Sequence, residues 1–376
     1  MPADALRLRR LTLSGFRSYA RLTWQPAAPI SVITGPNGAG KTNLLEAVSL
    51  LAPSRGLRAA RLAELARVGP GADGCWAVAG RFEHPLHGLV EVATGTAPDG
   101  PAERRLFRLD GEPVSQAVVG ARIALVWLTP EMGRMFQEGP AGRRRFLDRL
   151  VYALEPGHAR ELAAYETAMS GRNRLLAGPT ADPAWLTGLE EAMARHGVAV
   201  AAARAIMAAR LTQVLREAAP GLPLIGITLH CPIAERLAGR PALVVEEWMA
   251  EQLAARRQAD RLAGGAGLGV HRSDLVMRAL PSGMPANRCS TGEQKALLLS
   301  VVLAHAALVV ERRGFAPVLL LDEAAASLDA ERRAALLAIL ATGVSQALMT
   351  GTEAEPFRWL GARAEFLRVA DGHLVA

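Results

Sequence analysis

Cysteine is scarce in this chain of 376 residues: Cys75, Cys231 and Cys289 stand far apart, without the paired spacing of a zinc cluster or a disulfide framework. They read as small buried hydrophobes. Aromatic residues make up only 5% of the sequence, which argues against gripping a nucleic-acid strand by base stacking. No apolar run is read as reaching the ~20 residues of a membrane-spanning helix. Met1 to Arg10 carries arginines but not the apolar stretch that would follow them in a signal peptide. Nothing repeats at solenoid spacing. A soluble cytoplasmic protein is expected, with no membrane partner. The sharpest scarcity is lysine. Of 43 basic residues only Lys41 and Lys295 are lysines, so an ammonium is kept at two places where a compact point charge can do what a planar fork cannot. The formal charge of +7 admits a polyanionic partner, and equally a generally charged surface.

What is present can build a full core: 50% of the residues are hydrophobic and 21% charged, and the length suggests two compact lobes. Leu6, Leu8, Leu11 and Leu13 alternate with polar residues as a strand does, and a turn near Gly15 leads to a second strand and then to the buried run Ile30 to Thr34. Asn43 to Leu51 has helical periodicity. A small antiparallel region is expected over Cys75 to Leu109, and a strand over Ile123 to Leu128. From Glu131 to Gly264 alanine- and arginine-rich helical runs dominate, too interrupted by Gly and Pro for a long coiled coil. Strand character returns at Val270 to Leu280, followed by a helix from Thr291, a buried strand Val318 to Leu321, a helix Ala330 to Ala341 and closing strands. This order predicts a split α/β domain: 1–130 as its first part, 131–265 as a mostly helical lobe, and 266–376 as its second part.

Three motifs carry chemistry. Gly35-Pro36-Asn37-Gly38-Ala39-Gly40-Lys41-Thr42 fits G-x-x-x-x-G-K-[ST] at every fixed position, after an apolar strand and before a helix. Its backbone N–H groups and the helix N-terminus would cradle phosphates, Lys41 would reach the β- and γ-phosphate oxygens, and Thr42 would ligate Mg2+. Val318 to Leu321 ends in Asp322-Glu323. At the carboxyl end of a central strand, Asp322 would hold the metal and Glu323 would orient or deprotonate the attacking water. Ser290-Thr291-Gly292-Glu293 opens a long apolar helix, and alone it is simply a capping box.

In this order, and with Ser327-Leu328-Asp329 after them, the motifs resemble the ABC ATPase heads: an α/β P-loop head with an inserted helical lobe. The resemblance implies that Ser290 and Gly292 of one copy close over ATP held by another, with Asp329 nearby. Leu11 to Tyr19 resembles the opening strands of the chromosome-maintenance and repair branch, in which the pair matching Phe16-Arg17 approaches the nucleotide. Leu128 to Met132, Gly139 to Asp148, His271-Arg272-Ser273-Asp274-Leu275 and Thr350-Gly351-Thr352 are similar to the RecF family, and the likeness runs nearly end to end. It implies an ATP-dependent homodimer that binds double-stranded or gapped DNA without cutting it, works with RecR and RecO, and helps to place RecA in repair and replication restart. Another ABC-type subunit, from a transporter or a chromosome-maintenance complex, is the alternative reading.

Two departures bear on rate. Thr291 stands where transporter heads have a second glycine, and Thr350 where they usually have a histidine. Slow hydrolysis is expected, with Thr350 or Thr352 as a weaker contact to the γ-phosphate. No glutamine loop is evident. For DNA phosphates the candidates are Arg55 and Arg58 after the phosphate-loop helix and Arg143, Arg144 and Arg145 at a helix start. The same residues also suit a solvated helix face pairing with Glu138 and Asp148. His271 suits a structural hydrogen bond as well as a functional one.

Overall fold

The computed structural model describes residues 5–96, 104–180, 182–217, 221–323, 328–341, 346–370 and 372–375. Strands β1 (Arg7–Phe16), β2 (Tyr19–Trp24) and β3 (Ile30–Thr34) lead into helix α1 (Lys41–Leu50). Strands β4 (Ala77–His84), β5 (Gly88–Thr96), β6 (Arg105–Leu109) and β7 (Glu112–Pro113) follow, then α2 (Gln116–Arg122) and β8 (Leu125–Leu128). The helical stretch holds α3 (Pro140–Leu154), α4 (His158–Ala177), α5 (Pro183–Arg216), β9 (Ile225–His230), α6 (Pro232–Leu237), α7 (Ala242–Ala255), α8 (Arg257–Ala263) and β10 (Asp274–Ala279). The chain closes with α9 (Thr291–Arg313), β11 (Val318–Leu321), α10 (Ala330–Ala341), β12 (Ala347–Gly351), β13 (Ala364–Ala370) and β14 (His373–Val375).

Two compact units result. The first comprises Met1–Arg134, Glu217–Leu224 and Cys289–Ala376, the second Met135–Arg216 and Ile225–Arg288. Among the described residues the first unit has an antiparallel sheet ordered β2-β1-β4-β5-β6-β7 and a second sheet ordered β14-β13-β3-β12-β11-β8. The second sheet is parallel except for β14. Strand β11 and the edge strand β8 are apolar and buried at every position of Val318–Leu321 and Leu125–Leu128, as strands covered on both faces are. Helix α9 is capped by Ser290 and Glu293 in a reciprocal box and buries Leu297, Leu299, Val301, Val302 and Val309; each such side chain contributes about 1.5–3 kcal/mol.

The second unit differs from the sequence reading at its end. Strand β10 pairs antiparallel with β9 from Asp274↔His230 to Ala279↔Ile225, so the segment up to Arg288 stays with the helices rather than returning to the head after 265. The last of the helical runs before Gly264 divides at Arg256 into α7 and α8. A second correction concerns membrane spans. Both α5 and α9 are long and apolar enough to cross a membrane by length and composition, which the sequence reading denied. Helix α9 is mostly buried in the first unit, and α5 carries ion pairs inside the second.

Those ion pairs organise the helical unit. Arg204 gives Nε and Nη2 to the two carboxylate oxygens of Asp148 at 2.8 Å each, and its Nη1 donates to the Val270 carbonyl and Ser273 Oγ. Arg172 bonds Glu190, Asp260 and the Leu253 carbonyl. Both arginines are buried beside an apolar cluster of Tyr165, Met193, Val200, Ile233, Val245, Met249 and Leu253. His271 donates from Nε2 to the Ala266 carbonyl at 2.8 Å, leaving Nδ1 to accept from the Tyr165 hydroxyl at 2.6 Å. The motif histidine is therefore a strut of this unit.

Removing one member of a buried pair strands the other. Arg204→Met is expected to cost about 3–5 kcal/mol in denaturant unfolding; a loss below about 1 kcal/mol would contradict the assigned role, since that is the scale of an exposed pair. Burial pushes the Asp148 carboxyl up, yet hydrogen bonds from His158 and Arg204 outweigh it and hold the group below its usual range. Its stabilisation is thus present above the ordinary carboxylate pKa and fades as pH falls beneath it.

Candidate nucleotide site

Strand order creates the site. Strand β12 lies between β3 and β11, and β8 flanks β11 on the other side. The register pairs Gly351 with Thr34 and Leu321 with both Met349 and Leu128, so β3 and β12 end together and β11 and β8 end two residues earlier at the same end of the sheet. Gly35, Asp322, Thr350 and Thr129 consequently meet along one edge, where parallel sheets open on their ligands.

At that edge the Asp322 carboxylate accepts from Thr42 Oγ1, at 3.0 Å to Oδ1 and 3.1 Å to Oδ2, and from Thr350 Oγ1 at 2.6 Å. Its own N–H bonds the Leu128 carbonyl. Burial raises the Asp322 pKa against the pull of the two hydroxyls, with Glu323 and Glu131 adding like charge. A hydroxyl and a buried carboxylate on one point form the oxygen donor set that suits Mg2+. Glu323 follows with φ at 50°, a backbone region that side chains other than Gly, Asn and Asp rarely adopt. Its N–H donates to Thr350 Oγ1 at 2.9 Å.

The phosphate loop turns tightly into α1. Gly40, with φ at 112°, is the residue before the helix, and a Cβ there would lie 2.6 Å from Ser18 Oγ. At Gly38, by contrast, a Cβ would meet nothing within 4 Å, so this part of the loop borders open space. Lys41 is 4% exposed, and its ammonium donates to the Gly35 and Pro36 carbonyls at 2.7 and 2.9 Å. Among the described residues it has no carboxylate partner. A buried ammonium held only by carbonyls is suited to receive a polyanion.

The opening strands brace this loop by contacts that the motif reading did not foresee. Tyr19 donates its hydroxyl to the Gly40 carbonyl at 2.9 Å, and Asn43 donates to Ser18 Oγ. Arg17 does not point a free guanidinium at the loop. It grips Glu46, which is fully buried on α1, through two bonds of 2.9 and 3.0 Å, and Arg58 approaches the same carboxylate at 3.5 Å.

Ser290, Thr291, Gly292 and Glu293 form an exposed turn at the start of α9. Asp329 is exposed too, and its carboxylate accepts from the Arg332 N–H at the start of α10; Ser327 lies outside the described residues. Lys295, one turn into α9, lines a small crevice with Asp322, Glu323, Thr129 and Pro130. It thus joins the two scarce ammonium groups to one end of one sheet. Thr350 is wholly buried and its hydroxyl is engaged by Asp322 and Glu323, whereas Thr352 is exposed.

A family model described as the RecF/RecN/SMC N-terminal domain matches residues 7–360. The DNA replication and repair protein RecF of Mesorhizobium japonicum is 47% identical over 377 residues, covering 99% of this chain and 98% of that protein. The chain belongs to the RecF family. The Agrobacterium fabrum RecF is 44% identical with both chains fully covered. A solved structure of the recombination mediator protein RecF with ATP, in the RecFOR pathway, shares the fold at a TM-score of 0.84 and 20% identity, covering 99% of this chain and 98% of that one. An SMC head bound to the C-terminal winged-helix domain of ScpA matches at a TM-score of 0.50 and 17% identity over 98% of this chain and 96% of that one.

The arginines nominated for DNA divide by their bonds. Arg143 forks onto Asp274 at 2.7 and 3.0 Å, Arg144 donates to the Ser273 carbonyl, and Arg58 donates to Asn43 Oδ1. Within the second unit, the RecF-family segments around Arg143 and Asp274 are therefore two halves of one latch. Arg55 and Arg145 are exposed and make no hydrogen bond or ion pair to the described residues.

Arg17→Ala would leave the buried Glu46 with only the longer Arg58 contact. The expected outcome is a loss of about 3–5 kcal/mol in unfolding experiments. Unchanged stability with weakened ATP binding would instead place Arg17 on the nucleotide.

Proposed function

We propose that this RecF-family chain binds ATP with Mg2+ in the Gly35–Thr42 loop, and that a second copy covers the nucleotide with its Ser290–Gly292 turn. The observation that carries this reading is the buried Lys41 ammonium, held only by carbonyls one residue from the Thr42–Asp322 contact. Supporting it are the ATP held by the structural neighbour and the open turn at the start of α9, where a helix N-terminus meets solvent with its positive end.

On binding, Lys41 would exchange the Gly35 and Pro36 carbonyls for phosphate oxygens. Thr42 and Asp322 would hold the metal, which supplies charge neutralisation at the phosphates. Glu323 would accept a proton from the attacking water, while Gly38 lets the backbone approach. Turnover is slow in this reading, because no histidine ends β12.

Relatives described as DNA replication and repair proteins support the wider role. The ATP-bound dimer would hold duplex DNA near a single-strand gap without cutting it, work with RecR and RecO, help to load RecA, and let go on hydrolysis. The protein would act in the cytoplasm at the nucleoid. Arg55 and Arg145 are the nominated arginines left open for phosphate contacts, and such contacts weaken steeply with salt.

Glu323→Gln is expected to bind ATP as the parent does while losing at least about 100-fold in turnover; parental turnover would remove Glu323 from the mechanism. Ser290→Arg should keep ATP binding and lose turnover. Parental turnover in that variant would exclude the second copy's contribution.

A further inference from the structure

Strand β12 separates the phosphate-loop strand from the strand that carries the carboxylates, and one of its side chains, Thr350, reaches both Asp322 and the backbone of Glu323. Thr350 stands one position beyond Met349, the partner of Leu321, and is therefore level with Asp322. Its hydroxyl donates to Asp322 Oδ1 at 2.6 Å and accepts the Glu323 N–H at 2.9 Å. With both the donor and one acceptor site in use and no exposed surface, this hydroxyl has no path to a phosphate while the strand stays in place.

We propose that Thr350 is a positioning residue for hydrolysis, which orients Asp322 and holds the backbone of Glu323 rather than touching the nucleotide. The inference rests on the ATP reading above and adds a relay to it. Thr42, on the nucleotide side, bonds the same carboxylate that Thr350 bonds from the other side. When the Thr42 hydroxyl turns toward a metal, Asp322 keeps one fixed donor, and through Thr350 the Glu323 N–H remains tied to it. Glu323 needs such a tie because its φ of 50° is disfavoured for a glutamate. Nothing local compensates for that conformation among the described bonds except the hydroxyl. In this chain the residue at the usual histidine position thus serves the carboxylates and not the γ-phosphate.

Two conservative variants of the full chain separate this role from packing and from nucleotide contact. Thr350→Val keeps the shape and removes the hydroxyl, and Thr350→Ser keeps the hydroxyl. ATP affinity, kcat, KM and thermal melting are measured for both in saturating Mg2+. The expected result for Thr350→Val is a kcat lower by about tenfold or more, the effect of about 1.4 kcal/mol in the barrier, with ATP affinity and KM within about twofold of the parent. Thr350→Ser is expected to return most of that kcat. Should the valine variant fail to fold, Thr350→Ala takes its place in the same comparison. A parental kcat without the hydroxyl overturns the proposal, and so does a serine variant as impaired as valine. A raised KM at unchanged kcat also overturns it, because it assigns Thr350 to the nucleotide. If the parent protein itself neither binds nor hydrolyses ATP, the nucleotide reading fails and takes the role of Thr350 in hydrolysis with it, a result distinct from a parental kcat in the valine variant.

Discussion

The carboxylate of Asp322 is held from two sides by threonine hydroxyls, one on the helix that follows the phosphate loop and one on the strand between. That convergence exists because the parallel register of β3, β12 and β11 sets Thr350 level with Asp322 at the end of the sheet where the phosphate loop begins, and in the proposed function it is the point where nucleotide and metal meet the carboxylates. Move any of the three strands by one residue and the side chains at their ends would turn to the other face. The buried apolar strands and the long core helix α9 can be understood as the rigid support that keeps this point fixed.

A second theme is the use of arginine as an internal crosslink. Arg172 and Arg204 tie the helical unit together, Arg143 clamps Asp274, and Arg17 clamps Glu46. Arg105 on β6 donates to the Leu50, Ser54 and Ala52 carbonyls, at the far end of the phosphate-loop helix, and burial lowers its pKa to about 9. Each case uses a planar fork with several donors, which lysine lacks. The composition bias therefore says as much about how the interior is pinned as about any anionic partner. The two lysines stand apart from this pattern, one in the phosphate loop and one beside Asp322 and Glu323.

Local signals were legible in the sequence because their physics is local. The glycine loop sits between an apolar strand and a helix, Ser290 and Glu293 cap a helix three residues apart, and the apolar run Val318 to Leu321 reads as a buried strand. What escaped was set by distant partners. Strand β10 finds β9 more than forty residues upstream, so nothing at Val270 to Leu280 could signal which unit it joins. Arg143 and Arg144 read as phosphate contacts or as a helix face pairing with Glu138 and Asp148, because Asp274 and the Ser273 carbonyl lie about 130 residues away in sequence. That Arg17 grips the buried Glu46 was not legible either, because Glu46 stands 29 residues further on, in the helix after the phosphate loop. Thr350 is the instructive case: its position was recognised, but its hydroxyl serves carboxylates that arrive on a neighbouring strand.

One nucleotide held between two copies is the claim on which the functional account turns. Its most direct test is the mass of the unmodified protein in solution by light scattering, with and without saturating ATP and Mg2+. The account predicts a monomer alone and twice that mass with both present. An unchanged mass under saturating nucleotide and metal would contradict it.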